Sequence, residues 1–249
     1  MKKHIPNLLT LGNLFCGVLA TIFAVEGNFG LAGLLVVIGI FFDFFDGFAA
    51  RLLNVSGELG KQLDSLADMV TSGVVPGIIM FGLLSPSEYF EFHKEETATI
   101  IWTGFKFVPI QLIGLILTLG ACYRLAKFNI DTRQSESFIG LPTPAMSLFV
   151  ISLPLIQANT DIDFVQNLIS NNYFLIVITL LLTYLMNAEI PLFSLKFKEY
   201  SFKNNIIKYL FLLISLVMII TLQYLSIPLI ITLYVILSVI NNYGKKATV

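Results

Sequence analysis

Four aspartates stand close together in an otherwise apolar part of the sequence. The segment DFFDGFAAR carries Asp43 and Asp46, and the segment GKQLDSLAD carries Asp64 and Asp68. At 100° per helical residue, each pair falls on one face of its own helix. A short turn at 54–58 would join the two helices as an antiparallel hairpin. The four carboxylates are therefore expected to converge at one end of this hairpin.

Four unpaired carboxylates this close cannot all stay ionised in a low dielectric. They must therefore either take up protons or hold cations. Because no His or Cys stands nearby, the oxygen ligands predict a hard divalent ion, Mg²⁺ or Mn²⁺. Two such ions would hold a phosphoryl group for in-line displacement. Gly47 and Ala50 share the aspartate face and would leave room for a bulky ligand. Arg51 offers a bidentate donor suited to phosphate.

Each of these residues also has an ordinary alternative role. A single acidic residue near a helix end is usually solvated, and Gly47 or Gly60 alone would be typical of helix packing. Buried carboxylates also serve proton or ion transport, and intramembrane prenyltransferases hold Mg²⁺-pyrophosphate with paired aspartate motifs. The regular spacing of all four aspartates, with Arg51 between the pairs, favours a phosphate-handling site.

The elements that must position these residues are strongly apolar. The 249-residue chain is 56% hydrophobic and only 12% charged, and its mean hydropathy is +0.84. A soluble domain would carry about twice that charged fraction. This composition excludes a soluble enzyme, a disordered chain and a fibrous protein, and the net charge of -1 argues against a nucleic-acid partner. The sequence predicts an all-α polytopic membrane helix bundle, with one domain over 1–249.

Eight apolar segments are candidates for crossing a hydrocarbon core of about 30 Å. Pro228 supplies the expected break within the continuous apolar stretch at the C-terminal end, and seven crossings is the alternative count. The segment 85–106 is expected to be an external loop or a short interfacial helix. The eight segments lie near 7–26, 30–54, 62–84, 107–127, 143–159, 172–188, 206–223 and 225–242.

The distribution of basic residues predicts the orientation. With the N-terminus in the cytoplasm, thirteen of the 15 basic residues lie on that side, and only Lys94 and Lys106 lie on the other. Lys2 and Lys3 precede an apolar helix with no small-residue cleavage site, which favours a retained first helix over a signal peptide. Both termini and the four aspartates are therefore expected at the cytoplasmic face of the cell membrane.

The aspartate segments also resemble a known signature. Asp46-Gly47-x2-Ala50-Arg51-x8-Gly60-x3-Asp64-x3-Asp68, preceded by Asp43, is similar to the complete signature of the CDP-alcohol phosphotransferase family. The resemblance implies a six-helix core, here extended by two helices at about 206–242, often as a homodimer with two divalent metals. It also implies transfer of a phosphoalcohol group from a CDP-linked donor to an acceptor hydroxyl, with release of CMP. The residues that it implies are the metal ligands Asp43, Asp46, Asp64 and Asp68, the general base Asp68, and the CDP-diacylglycerol contacts Asn13, Gly47, Ala50, Arg51, Gly57 and Gly60.

Further segments resemble the bacterial and archaeal phosphatidylserine synthases within that family. This resemblance implies CDP-diacylglycerol as donor and L-serine as acceptor. Arg124, Lys127 and Asn129 are then expected to bind serine, although Arg124 and Lys127 are alternatively ordinary positive-inside anchors. The alternative function is a sister enzyme that uses glycerol 3-phosphate or inositol phosphate, acceptors that need a denser basic cluster. The resembling segments are PNLLTLGNLFCG (6–17), LDSLADMVTSGVVPG (63–77), YRLAKFN (123–129), GLPTPA (140–145) and LMNAEIPLFSLK (185–196).

Overall fold

The computed structural model describes residues 4–55, 57–84, 109–131, 138–193 and 205–246. The predicted external segment 85–106 lies outside these residues. A π-helical segment, Met69–Val74, joins α3 to α4, and a 3-10 segment, Pro109–Leu115, leads into α5. The described helices and strands are α1 (His4–Val25), α2 (Phe29–Leu52), α3 (Glu58–Asp68), α4 (Val75–Leu83), α5 (Ile116–Ile130), β1 (Phe138–Ile139), α6 (Thr143–Asn159), α7 (Asp163–Ile169), α8 (Asn172–Asn187), β2 (Pro191–Leu192), α9 (Ile206–Leu222) and α10 (Ser226–Lys246).

Each of the eight predicted segments coincides with helix, which confirms the all-α membrane bundle. Among the described residues, five helical segments are long and apolar enough to cross a membrane, and the α7–α8 pair, bent by 68°, gives a sixth. Helix α6 is apolar but has only 17 residues, or about 25 Å of rise. The count of eight crossings stays a prediction.

The C-terminal apolar stretch folds back on itself. A straight helix over Ile206–Asn241 would be about 54 Å long. Instead, the rings of Phe211 and Tyr234, which a straight helix would separate by about 35 Å, have centroids 5.8 Å apart. The predicted boundary between 206–223 and 225–242 is confirmed, because the chain turns at Gln223, whose φ is 47°. The prediction that Pro228 causes this break is wrong. Pro228 lies in the first turn of α10, where its missing N–H removes no helical hydrogen bond.

Small and polar side chains let α1 pack closely against the signature helices. The buried face of α1 includes Thr10, Asn13, Gly17, Ala20 and Ala24, spaced three or four residues apart. The helix makes its most extensive contact with α2 and also contacts α3, the π-helical segment and α4. α1 therefore lies across both helices that carry the aspartates.

The closest approach is at Gly39 of α2. A Cβ added there would lie 2.8 Å from the Asn13 side-chain oxygen and 2.8 Å from the Thr71 methyl carbon. The Thr71 hydroxyl donates to the Asn13 backbone oxygen at 3.1 Å, which joins α1 to the π-helical segment. Because real Cβ atoms do not come this close to their neighbours, Gly39 cannot be enlarged without moving one of these helices.

We expect Gly39→Ala to lower the free energy of unfolding by about 1–3 kcal/mol, because overpacking forces a backbone shift. Gly47→Ala, on the same helix, is the matched control, because a Cβ at Gly47 meets nothing within 4 Å. Gly47→Ala should change stability by no more than about 1 kcal/mol. Thermal unfolding in detergent measures both, and equal losses in the two variants would contradict the packing described here.

A short β pairing brings two distant segments of the chain together. β1 and β2 are antiparallel, with Ile139 opposite Pro191. The Gly140 N–H donates to the Ile190 carbonyl oxygen at 2.9 Å, which continues the pairing. Gly140 has a φ of 75°, and an added Cβ there would collide with the Met186 carbonyl oxygen. The GLPTPA segment is thereby held against the end of α8, next to the central helix α6.

Candidate active site

The α2–α3 hairpin brings three of the four aspartates together. Asn54, with a φ of 51°, reverses the chain between the helices. One carboxylate oxygen from each of Asp43, Asp46 and Asp64 lies within 4.8 Å of the others. Asp46 is buried, whereas Asp43 and Asp64 are half-buried. The three side chains therefore present their oxygens to one small volume at the cytoplasmic end predicted for the hairpin.

Asp68 lies apart from this three-carboxylate group, one helical turn beyond Asp64. It is buried, and its Oδ1 accepts a hydrogen bond from the Asn13 amide nitrogen at 3.1 Å. Asp68 still interacts electrostatically with Asp43, Asp46 and Asp64, and also with Arg124. It is therefore close enough to interact with both the three-carboxylate group and the buried arginine of α5.

Two polar residues of α1 fix one aspartate in each half of the signature. The Thr10 hydroxyl donates to Asp46 Oδ2 at 2.5 Å, and Asn13, three residues later on the same helix face, holds Asp68. Thr10 is not among the site residues predicted from the sequence, although a hydroxyl one turn before Asn13 in an apolar helix is a usable signal. Asn13, predicted to contact the donor, is fully buried, and its amide nitrogen donates to Asp68.

The donor set fits a hard divalent cation. Oxygens on opposite sides of a six-coordinate Mg²⁺ are about 4.2 Å apart, and those around a Ca²⁺-sized ion somewhat more. The 4.8 Å span of the three-carboxylate group needs only a small contraction to meet this geometry. Like charges at this distance repel in a low dielectric, so a cation would also relieve the repulsion among them.

The surface beside the three-carboxylate group is open on the side of Gly47. A Cβ added at Gly47 or at Gly57 would have no atom of the described residues within 4 Å. A Cβ added at Gly60 would lie 3.5 Å from the Asn7 side-chain oxygen. Helix packing therefore does not account for Gly47. Ala50 is half-buried one turn further on, and Arg51 is exposed at the end of α2.

The three residues predicted to bind serine have different surroundings. Arg124 is buried, and its Nη1 donates to Thr143 Oγ1 at 3.4 Å. Arg124 and Lys127 line one small cleft, and Lys127 forms an ion pair with Glu189 at 3.4 Å. Asn129 does not line this cleft: its amide lies 2.9 and 3.1 Å from the Ser65 hydroxyl, and its backbone oxygen accepts from Lys61. The structure thus groups Arg124 with Lys127 and places Asn129 against α3.

Comparison with known proteins decides the family. The sequence model described as CDP-alcohol phosphatidyltransferase matches residues 3–185, nearly three quarters of the chain. The chain belongs to the CDP-alcohol phosphatidyltransferase family. Members of this family are integral membrane enzymes that generally depend on a divalent metal, in agreement with the three-carboxylate group. Membership excludes the transporter and the prenyltransferase as alternatives.

Three curated relatives differ in the acceptor alcohol that their names give. A CDP-diacylglycerol–serine O-phosphatidyltransferase of Bacillus subtilis (strain 168) is 34% identical over 61% of this chain and 75% of its own length. An enzyme of the same name in Helicobacter pylori (strain J99) is 33% identical over 61% of this chain, which spans 57% of that protein. A CDP-diacylglycerol–glycerol-3-phosphate 3-phosphatidyltransferase of Aquifex aeolicus is 30% identical over 79% of this chain and 99% of its own length.

Proposed function

We propose that this CDP-alcohol phosphatidyltransferase transfers the phosphatidyl group of CDP-diacylglycerol to the hydroxyl of L-serine, giving phosphatidylserine and CMP. The observation that carries the proposal is the convergence of the Asp43, Asp46 and Asp64 carboxylates beside the open face of Gly47. The serine enzymes among the relatives support the choice of acceptor. The Aquifex relative keeps glycerol 3-phosphate as the second candidate acceptor.

In the proposed reaction, the serine hydroxyl oxygen attacks the phosphorus that carries the diacylglycerol. A new P–O bond forms, the P–O bond to CMP breaks, and CMP leaves with the bonding electron pair. Asp68 accepts the hydroxyl proton on Oδ2, since Asn13 occupies Oδ1. Two divalent cations, Mg²⁺ or Mn²⁺, held by Asp43, Asp46, Asp64 and Asp68, would supply charge neutralisation at the pyrophosphate.

The donor is proposed to lie along the open side of α2. Gly47, Ala50, Gly57 and Gly60 leave the space for its cytidine diphosphate, and Arg51 binds a phosphate. Asn13 holds Asp68 through its amide nitrogen and stays a proposed contact to the donor. The outward face of α2 is lined with exposed phenylalanines, which suits contact with acyl chains in the bilayer. These are Phe41, Phe44 and Phe48, which are 63%, 62% and 48% exposed.

Arg124→Ala is expected to raise the KM for serine by about 10- to 100-fold, because a charge-assisted hydrogen bond to the serine carboxylate is lost. The KM for CDP-diacylglycerol should change by less than about threefold. Lys127→Ala is the matched neighbour: its partly exposed ion pair with Glu189 predicts a much smaller effect. Steady-state kinetics in mixed micelles measure both constants. Equal increases for the two substrates would contradict a role of Arg124 in acceptor binding.

The proposed acceptor is tested by a competition among alcohols. Purified protein receives CDP-diacylglycerol, Mn²⁺ or Mg²⁺, and equal concentrations of radiolabelled serine, glycerol 3-phosphate and inositol phosphate. We expect phosphatidylserine as the main lipid product. Phosphatidylglycerol phosphate as the main product would assign the chain to the glycerol 3-phosphate enzymes.

The orientation and assembly belong to the same proposal. Most basic residues lie on the side of the membrane predicted for the N-terminus. This excess supports an enzyme in the cell membrane with its active site and both termini facing the cytoplasm. The family resemblance supports a homodimer. Native mass spectrometry from detergent should therefore release a species of twice the 27.7 kDa chain mass, and a monomer alone would contradict the dimer.

A further inference from the structure

We propose that Asn187 determines specificity for an amino-acid acceptor, with its side-chain oxygen accepting a hydrogen bond from the acceptor ammonium group while Arg124 binds the carboxylate. This inference rests on the proposed function and extends it to a residue outside the signature. Asn187 is the last residue of α8, within the LMNAEIPLF segment that β2 holds against GLPTPA. Each of the two side chains has one buried polar atom without a hydrogen-bond partner among the described residues.

Asn187 and Arg124 line one cleft between α5 and the end of α8. The other residues of its lining are Lys127, Ile139, Met186 and Ala188. Arg124 is 7% exposed, and its Nη1 donates a long hydrogen bond of 3.4 Å to Thr143 Oγ1. Its Nε is buried and has no hydrogen-bond partner among the described residues. A buried guanidinium N–H without a partner is costly, and a carboxylate binding across Nε and an Nη would satisfy it.

The orientation of the Asn187 amide is fixed by two backbone carbonyls. Its Nδ2 donates to the Gly120 oxygen at 3.2 Å and to the Thr183 oxygen at 3.0 Å. Since carbonyl oxygens only accept hydrogen bonds, the amide cannot be reversed without losing both. The Oδ1 atom is buried and has no partner among the residues that the structure describes. The cleft therefore contains one unsatisfied acceptor and one unsatisfied cationic donor.

Close packing holds Asn187 in this place. A Cβ added at Gly120 would lie 2.6 Å from the Thr183 methyl carbon and 3.4 Å from Asn187 Nδ2. Side chains of α8 thus pack directly against the α5 backbone at Gly120, where the amide binds. The amide is positioned by the fold before any ligand arrives, which lowers the entropy cost of binding.

The two unsatisfied groups match the two ends of an α-amino acid. An ammonium group donates to the Asn187 oxygen, and a carboxylate accepts from the Arg124 guanidinium. A phosphorylated polyol can offer the Asn187 oxygen only a neutral hydroxyl, whose hydrogen bond is weaker than the charge-assisted bond of an ammonium group. The rim adds no net charge, because Lys127 there is paired with Glu189. The cleft should therefore discriminate against phosphate-bearing acceptors.

The test compares serine with glycerate, in which a hydroxyl replaces the ammonium group. The serine KM and the inhibition constant of glycerate against serine are measured for the wild type, for Asn187→Ala and for Asn159→Ala. Asn159 is the control because it is exposed and, among the described residues, its amide donates to a carbonyl of its own helix, that of Leu155, at 2.8 Å. We expect Asn187→Ala to raise the serine KM by about 10- to 100-fold, whereas the glycerate constant should rise by only about 2- to 5-fold, because the hydroxyl loses a neutral hydrogen bond.

Equal losses for serine and glycerate would overturn the inference, because they would show that Asn187 only supports the fold. If Asn187→Ala does not fold, Asn187→Ser takes its place, since its hydroxyl can still donate to the Thr183 carbonyl oxygen while the Oδ1 acceptor is removed. Its preference for serine over glycerate should fall as in Asn187→Ala, and an unchanged preference would overturn the inference. Failure of the proposed function is separate: the wild type would then form no phosphatidylserine at all.

Discussion

Asp68→Asn is expected to lower serine-dependent turnover by about 1,000-fold without unfolding the protein. The substitution removes the group proposed to accept the hydroxyl proton, but it keeps the size of the side chain. The Asn13 amide can still donate to the oxygen of the new side chain, as it does to Asp68 Oδ1. Turnover is measured as CMP release, and folding is measured as thermal unfolding in detergent.

The matched control for this substitution is Glu58→Gln, at the exposed start of the same helix. It removes one negative charge from α3 and should leave turnover within about twofold of the wild type, since it lies outside the buried site. Near-normal turnover by Asp68→Asn would exclude it as the base. A similar loss in both variants would point to the total charge of the helix instead of to one carboxylate.

Asp64→Asn is expected to abolish both activity and stabilisation by metal. Without metal, the variant should be at least as stable as the wild type, because one of three mutually repelling carboxylates is neutral. With Mn²⁺, the wild type should gain stability as the cation binds the folded state, by about 2.7 kcal/mol at 100 times the dissociation constant. The variant should gain little, since it has lost one of the charged ligands.

Thermal unfolding with EDTA and with a series of Mn²⁺ concentrations measures this effect independently of catalysis. Glu26→Gln, an exposed carboxylate after α1, should shift with Mn²⁺ as the wild type does. An unchanged Mn²⁺ shift in Asp64→Asn would show that the cation binds elsewhere. A lower stability of the variant in EDTA would contradict the repulsion that we infer among the three carboxylates.

The parts of the site that sequence could predict are those set by helical periodicity. Asp43 and Asp46 share a face because they are three residues apart, and Asp64 lies opposite them because a short turn reverses the chain. The eight apolar segments could be located because each is long and lies between polar or turn residues. Arg124 was identified because its motif resembles the family.

The remaining contacts depend on how distant helices pack. Thr10 and Asp46 are 36 residues apart, and Asn13 and Asp68 are 55 apart, so no local spacing predicts either hydrogen bond. Asn187 is similar, because its amide is fixed by a carbonyl oxygen 67 residues away. Such hydrogen bonds form only when small residues let helices that are distant in the sequence pack closely, so they can be identified from the structure but not from the sequence.

The C-terminal turn shows the limit of a rule based on proline. Pro228 is a strong helix breaker in a helix interior, but in the first turn its missing N–H costs nothing. The turn is made by Gln223, which takes a positive φ that its residue type does not favour. The fold-back is supported by packing of Phe193 against both Phe211 and Tyr234, with centroid distances of 6.0 and 4.9 Å. No feature near Gln223 in the sequence marks that packing.

The central claim is that the aspartate hairpin transfers a phosphatidyl group to serine. The most direct measurement is the stoichiometry of products from purified protein given CDP-diacylglycerol, radiolabelled serine and Mn²⁺. We predict one CMP released for each phosphatidylserine formed, no product in EDTA, and no product from Asp68→Asn above about a thousandth of the wild-type rate. CMP release without labelled lipid, or labelled lipid formed at the full rate by Asp68→Asn, would contradict the account.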